Sequence, residues 1–198
     1  MLDFAMFEVM TFDCYGTLID WESGIASAMG KILTSHGVKI SDDEILELFA
    51  KLESRIEAGK FHNYKTVLAK VAEGFGEELG FIPHRSEIES FSRSVEDWPP
   101  FHDSVEALHS LQKRYSLAVI SNVDDDLFAF SAKHLKTDFD RVITAEAVKS
   151  YKPSLNNFYH AIEKIGIPKE RILHVAQSLY HDIEPASIAR RRSPRYEG

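Results

Sequence analysis

Apolar residues cluster along the chain in two kinds of pattern. The first is the compact run. Met6 to Phe12 is short, apolar and rich in β-formers, and it stops at Asp13-Cys14-Tyr15-Gly16. Such a run predicts a buried strand ending in a turn. Leu117 to Ile120, Arg141 to Thr144 and Ile172 to Val175 predict three more strands, the first of them stopping at Ser121 and Asn122. The second pattern repeats every three or four residues. Val105, Leu108 and Leu111 share a helical face behind the capping-box pattern Asp103-Ser104-Val105-Glu106. Leu155, Phe158, Ile162 and Ile165 repeat the spacing ahead of Gly166 and Pro168. Strands alternating with helices predict an α/β fold with a Rossmann-like parallel sheet.

From Trp21 to Trp98 only the helical pattern is present. Ser41-Asp42-Asp43-Glu44 is a second capping box, and Ile45, Leu48, Phe49, Leu52 and Ile56 form a stripe closed by Gly59. Val67, Leu68 and Val71 predict a further helix, and Ile88, Phe91 and Val95 another. Pro99-Pro100 marks the return to α/β patterning. The segment 21–96 therefore reads as a helical insertion placed directly after the first strand, within a core of 1–20 and 97–198. From Ser187 to Gly198 the chain is basic and poor in β-formers, and reads as a frayed tail.

Composition narrows the function classes. The 198 residues are 44% hydrophobic and 27% charged, a globular balance. Asp and Glu total 31 against 23 Lys and Arg, a formal charge of −8 that repels nucleic acid and anionic membranes. One cysteine excludes a disulfide framework and a multi-cysteine zinc site, and the nine histidines show no ligand pair at metal spacing. No signal-peptide pattern is visible, and no apolar stretch reaches the roughly 18 residues that cross a bilayer. The expected location is the cytoplasm, with a small molecule as partner rather than nucleic acid or membrane.

In open parallel sheets the ligand crevice lies beyond the carboxyl ends of the strands. Asp13 and Thr17 follow the first strand, and Ser121 and Asn122 the second. Lys152 follows the third, and Gln177, Ser178 and Asp182 the fourth. A carboxylate, hydroxyls, amides and an ammonium converging there suit covalent catalysis. Each has a blander role: Asp13 as a turn residue, Thr17 and Ser121 as capping residues, Asn122 as a turn former, Lys152 as a surface lysine. Asp182 also reads as the N-cap of the last helix, and Asp124-Asp125-Asp126 as a helix start. Cys14 reads as an inert packing thiol, His174 and His181 as structural. Trp21, Phe61 and Tyr64 are candidates for a pocket lining or for core packing.

Phe12-Asp13-Cys14-Tyr15-Gly16-Thr17-Leu18 resembles the first motif of the haloacid dehalogenase superfamily of hydrolases. Ser121-Asn122 resembles the second, Lys152-Pro153 the third, and the acidic segment ending at Asp182 the fourth. Four motifs in order, each at a strand end, are far more specific than one. The helical insertion sits where that family places its cap. Tyr15 stands where the family's phosphatases carry a second Asp, and this form resembles the metal-independent 2-haloacid dehalogenase branch. No residue clearly matches the arginine with which dehalogenases bind substrate; Arg55 is the candidate. The family core normally continues with a further strand after the fourth motif, and the apolar run for it is missing here.

The resemblance implies the following roles. Asp13 attacks the halogen-bearing carbon and forms an aspartyl ester, and water then releases a 2-hydroxy acid. Lys152 holds Asp13 ionised. Thr17 and Ser121 position the carboxylates, and Asp182 orients Lys152 or helps to activate water. Tyr15, Asn122, Gln177 and Ser178 line the substrate site. No cofactor is implied, and the partners are a short 2-haloacid or similar molecule and a second copy of the chain in a homodimer. The alternatives are a phosphatase using Mg²⁺ and an inactive, truncated relative acting as a binding protein.

Overall fold

The computed structural model describes residues 3–191. Its sheet has four parallel strands: β1 (Val9–Phe12), β2 (Ser116–Ser121), β3 (Arg141–Thr144) and β4 (Ile172–Val175). Their order is β3-β2-β1-β4, so the chain moves one way from β1 and then crosses to its other side. The switch point of the sheet therefore lies between β1 and β4. Met10 sits opposite Leu117 and Leu173, and Phe12 opposite Val119 and Val175. All four β1 residues are buried, as expected for a central strand covered on both faces. Among the described residues β4 is an outer strand.

Two strands match the expected bounds, but β1 is shorter. Phe4–Met6 forms a 3₁₀ turn, with Asp3 accepting from the Ala5 N–H at 3.0 Å, and pairing begins only at Val9.

Four helices follow β1: α1 (Trp21–Ser35), α2 (Asp42–Glu57), α3 (Tyr64–Leu79) and α4 (Arg85–Ser92). Asp20 caps α1 by accepting from the Ser23 N–H at 3.1 Å. Ser41 and Glu44 form the expected capping box of α2. α3 ends at Gly80 in the left-handed conformation (φ 78°). Leu52 of α2 packs on Gly74 of α3, where a Cβ would stand 2.9 Å from the leucine methyl. Val95 does not extend α4: the backbone breaks at Arg93, and Ser94–Asp97 is a separate 3₁₀ turn. Leu52, Phe75 and Phe91 belong to the same apolar cluster as Phe12, Leu117 and Val119, so these helices share a core with one face of the sheet.

The remaining helices are α5 (Ser104–Leu111), α6 (Asp125–Leu135), α7 (Ala145–Val148), α8 (Leu155–Ile165) and α9 (Glu184–Arg191). α5 forms without the expected capping box. Asp103 has φ −103° and ψ −12°, near helical rather than extended, and its side chain makes no capping bond. The last helix corrects two expectations. Asp182 is not its N-cap; it lies within a wide turn, Leu179–Ile183, whose N-cap is Ser178. Residues 187–191 are helical rather than frayed, because Ala189 packs with Ile120, Ile143 and Phe158. The rest of the expected tail, 192–198, lies outside the described residues. No described helix is long and apolar enough to cross a membrane.

Candidate active site

The chain leaves β1 at Asp13 and folds straight back. The Leu18 and Ile19 N–H groups both donate to the Cys14 carbonyl, at 2.8 and 3.0 Å. Gly16 makes this possible with φ at 91°, a conformation that a side chain would strain. The turn lays Thr17 over Asp13, and its hydroxyl donates to Asp13 Oδ2 at 2.9 Å. Thr17 Oγ1 in turn accepts from the Gln177 N–H at 3.0 Å, which ties the loop after β4 to Asp13. This relay runs across the switch point.

Lys152 Nζ bridges two carboxylates. It donates to Asp13 Oδ1 at 2.7 Å and to Asp182 Oδ1 at 2.6 Å. All three groups are buried. Burial works against the ammonium, but Asp13 and Asp182 outweigh it and raise the Lys152 pKa above the ordinary lysine value. Burial would raise Asp182, yet His174 and Lys152 together hold it below the usual carboxylate range. His174 bridges strands: its Nδ1 lies 2.9 Å from Thr11 Oγ1 and its Nε2 3.1 Å from Asp182 Oδ1.

Asn122 has a second task beyond the expected one, and Ser121 differs from expectation. Asn122 grips the Lys152 main chain, accepting from its N–H at 2.7 Å and donating to its carbonyl at 3.1 Å. Its amide thus places the lysine while its side chain also borders the cavity. Ser121 makes no hydrogen bond to Asp13; its buried hydroxyl has no partner among the described residues.

Above these groups lies a cavity of about 200 Å³. Its floor is Asp13, Lys152, Asp182 and Asn122, and Gln177, Ser178 and His181 form one wall. The expected substrate-site residues Tyr15, Gln177 and Ser178 all border it. Tyr15 is tethered, with its hydroxyl 2.9 Å from Ser131 Oγ and its ring edge-on to Trp98 at 5.4 Å. Burial, and then Lys152, lowers the His181 pKa, so its imidazole is neutral near pH 7. Trp21 and Tyr64 join the lining, whereas Phe61 packs on Tyr151, with ring centroids 5.3 Å apart. Cys14 is fully buried, and burial, then Asp13, keeps its thiol protonated.

Sequence reasoning missed the roof. Phe49, Glu53 and Glu57 of α2 border the cavity, and so does Trp98 at the other end of the insertion in sequence. Burial pushes Glu53 up to about 7, although the Tyr64 hydroxyl donates to it at 2.6 Å. Burial and the charge of Glu53 push Glu57 up to about 9. Arg55, the candidate substrate arginine, is exposed and does not border the cavity.

Asp124 also has an unexpected task. It precedes α6, but its carboxylate accepts from the Tyr64 and Lys65 N–H groups at 2.7 and 3.0 Å, capping α3 from across the fold. Folding also assembles a histidine pair that spacing does not reveal. Potential metal-ligand atoms of His36, His84 and Glu87 lie within 4.8 Å of one another. Glu87 already accepts from Ser35 Oγ and the His84 N–H, both at 2.7 Å, and pairs with His36 Nε2 at 2.8 Å.

A parallel sheet with an aspartate after β1, a lysine after β3 and a second acid after β4 defines a hydrolase class. Residues 7–189 match the family model of haloacid dehalogenase-like hydrolases, and the chain belongs to that family. It is 28% identical to the glyceraldehyde 3-phosphate phosphatase of Methanothermobacter thermautotrophicus, over 93% of this chain and 83% of that protein. It is 24% identical to the (S)-2-haloacid dehalogenase of Pseudomonas fluorescens, over 85% of this chain and 75% of that one. The crystal structure of L-2-haloacid dehalogenase from Xanthobacter autotrophicus shares the fold, with a TM-score of 0.80 at 20% identity, covering 92% of this chain and 74% of that one.

Proposed function

We propose that this protein is a dehalogenating hydrolase whose Asp13 displaces halide from the carbon of a short 2-haloacid or a compound of like carbon–halogen chemistry. The observation that carries the reading is the buried Asp13–Lys152–Asp182 triad beneath a tethered Tyr15. Thr17 and Lys152 each hold one oxygen of Asp13, which fixes the carboxylate plane while leaving each oxygen a lone pair. Attack forms a carbon–oxygen ester bond to Asp13 as the carbon–halogen bond breaks, and halide departs with the electron pair. Water then attacks the Asp13 carbonyl carbon and gives a proton to a base, the acyl carbon–oxygen ester bond breaks, the same base returns the proton to the departing alkoxide, and the new Asp13 carboxyl loses its proton to solvent. Asp182 orients Lys152, and the His181 imidazole in the cavity lining, its pKa lowered first by burial, serves as that base. The helices of 21–96 act as the cap over this centre.

The phosphatase relative motivates a second reading. Mg²⁺ would then need the remaining lone pairs of Asp13 and Asp182 as ligands, against the repulsion of the Lys152 ammonium that bridges the same pair. Tyr15 supplies no acid for an alkoxide leaving group, since burial pushes its phenol well above its ordinary value. The fit to Mg²⁺ is poor, and the halide reading is preferred.

The test is halide release from short 2-chloro compounds, an acid, an amide and an ammonium, with EDTA present. Release that is lost in Asp13→Asn, with ¹⁸O from labelled water entering Asp13 in a single turnover, is the expected result. No halide from any compound, or phosphate release strictly dependent on Mg²⁺, would overturn it.

A further inference from the structure

We infer that the cavity selects a substrate with a cationic head group, a small alkylammonium, seated between the α2 carboxylates Glu53 and Glu57 and the surrounding aromatic rings. The inference rests on the displacement chemistry proposed above and names the other end of the molecule. Its basis is the make-up of the cavity wall. Glu53 and Glu57 stand one helical turn apart, and both border the same cavity as Asp13. Asp13 and Asp182 add two carboxylates below.

Lys152 is the one lysine in the lining, which holds no arginine, and it is committed to Asp13 and Asp182. His181 is held neutral. Nothing in this lining remains to balance a substrate carboxylate. A cation meets the reverse situation. Glu57 makes no hydrogen bond among the described residues, and burial and Glu53 hold a proton on it that an ammonium would drive off.

The rest of the wall is aromatic. Trp21 and Phe49 lie side by side, with ring centroids 5.8 Å apart, and Tyr64 and Tyr15 complete the enclosure. Aromatic faces with nearby carboxylates are the chemistry that recognises substituted ammonium groups. The volume, about 200 Å³, suits a small head group on a short haloalkyl chain.

The test separates binding from chemistry. Choline and propionate, which carry no leaving group, are titrated calorimetrically into the wild-type protein, Glu57→Gln and Glu53→Gln/Glu57→Gln. Choline is expected to bind at least about tenfold tighter than propionate, and to lose about tenfold or more in each variant while propionate gains. Thermal melts verify folding of the variants, and the wild-type comparison stands without them. Propionate binding as tightly as choline, no binding of choline, or folded variants with unchanged choline affinity would each overturn the inference. Halide release from 2-chloroethyltrimethylammonium and from 2-chloropropionate is measured alongside. Choline selectivity without halide from either compound sinks the displacement reading alone. Halide release with propionate preferred sinks the head-group assignment alone.

Discussion

Replacing Lys152 by methionine keeps the aliphatic stem and removes only the charge. The wild-type cluster is two carboxylates and one ammonium, with Lys152 3% and Asp182 1% exposed. Without the ammonium, two carboxylates about 5 Å apart repel by roughly 3 kcal/mol at an effective dielectric constant of about 20. Removing one partner of a buried pair costs about 3–5 kcal/mol by the same logic. A loss of about 3–5 kcal/mol near pH 7.5 is therefore expected in urea unfolding. Each kcal/mol corresponds to roughly 2–4 °C in Tm for a chain of this size.

The pH dependence gives the sign. In the wild type, the raised Lys152 pKa contributes stability at all pH below the ordinary lysine value, and loses it as pH rises through the folded value. The lowered Asp182 pKa contributes above the ordinary carboxylate value, and loses it as pH falls through the folded value. Stability from this cluster is thus level between about pH 5 and 9. In Lys152→Met the two carboxylates favour a shared proton, so the deficit shrinks from pH 7.5 to pH 5. A deficit below about 1 kcal/mol, or one equal at both pH values, would refute the reasoning.

Thr17→Val removes the donor to Asp13 and the acceptor for the Gln177 N–H; kcat/KM for halide release should fall about 10- to 100-fold, and Thr17→Ser should restore most of it. Gly24→Ala would set a Cβ 2.3 Å from Trp98 Cδ1, so urea titration followed by tryptophan fluorescence should show a loss of about 1–3 kcal/mol, and an unchanged midpoint would contradict the packing. Asp124→Ala orphans the Tyr64 and Lys65 N–H groups, at about 1–2 kcal/mol, and amide exchange should quicken first in the opening turn of α3; uniform acceleration would argue against a local cap.

The strand ends were legible because a buried parallel strand is an unbroken apolar run that must stop where the backbone turns. Arg141–Thr144 and Ile172–Val175 show this in their bounds, and Asp13, Lys152 and Asp182 in their meeting. α1 was not legible as a helix, because Gly24, Gly30 and its serines dilute the stripe of Ile25, Met29, Ile32 and Leu33. Glu53 and Glu57 were hidden for another reason. They follow Phe49 at intervals of four, off the main apolar stripe, where a glutamate normally faces water. Only the tertiary packing of α2 over the strand ends turns that polar face inward. Asp124 was read by local habit, as a helix-start residue, and the reading of Asn122 as a site residue left out its grip on the Lys152 main chain. Their partners lie 60 and 30 residues away, beyond any local pattern.

Asp13, Lys152 and Asp182 follow strand ends, while Glu53 and Glu57 hang from a single turn of α2 in the stretch between β1 and β2. Heredity can therefore act on them separately. A duplicated gene could exchange two glutamate codons and give the cavity a new lining, while Asp13, Lys152 and Asp182 stay untouched. Diversification in such a lineage would be written first in one helix, with the sheet as its fixed inheritance.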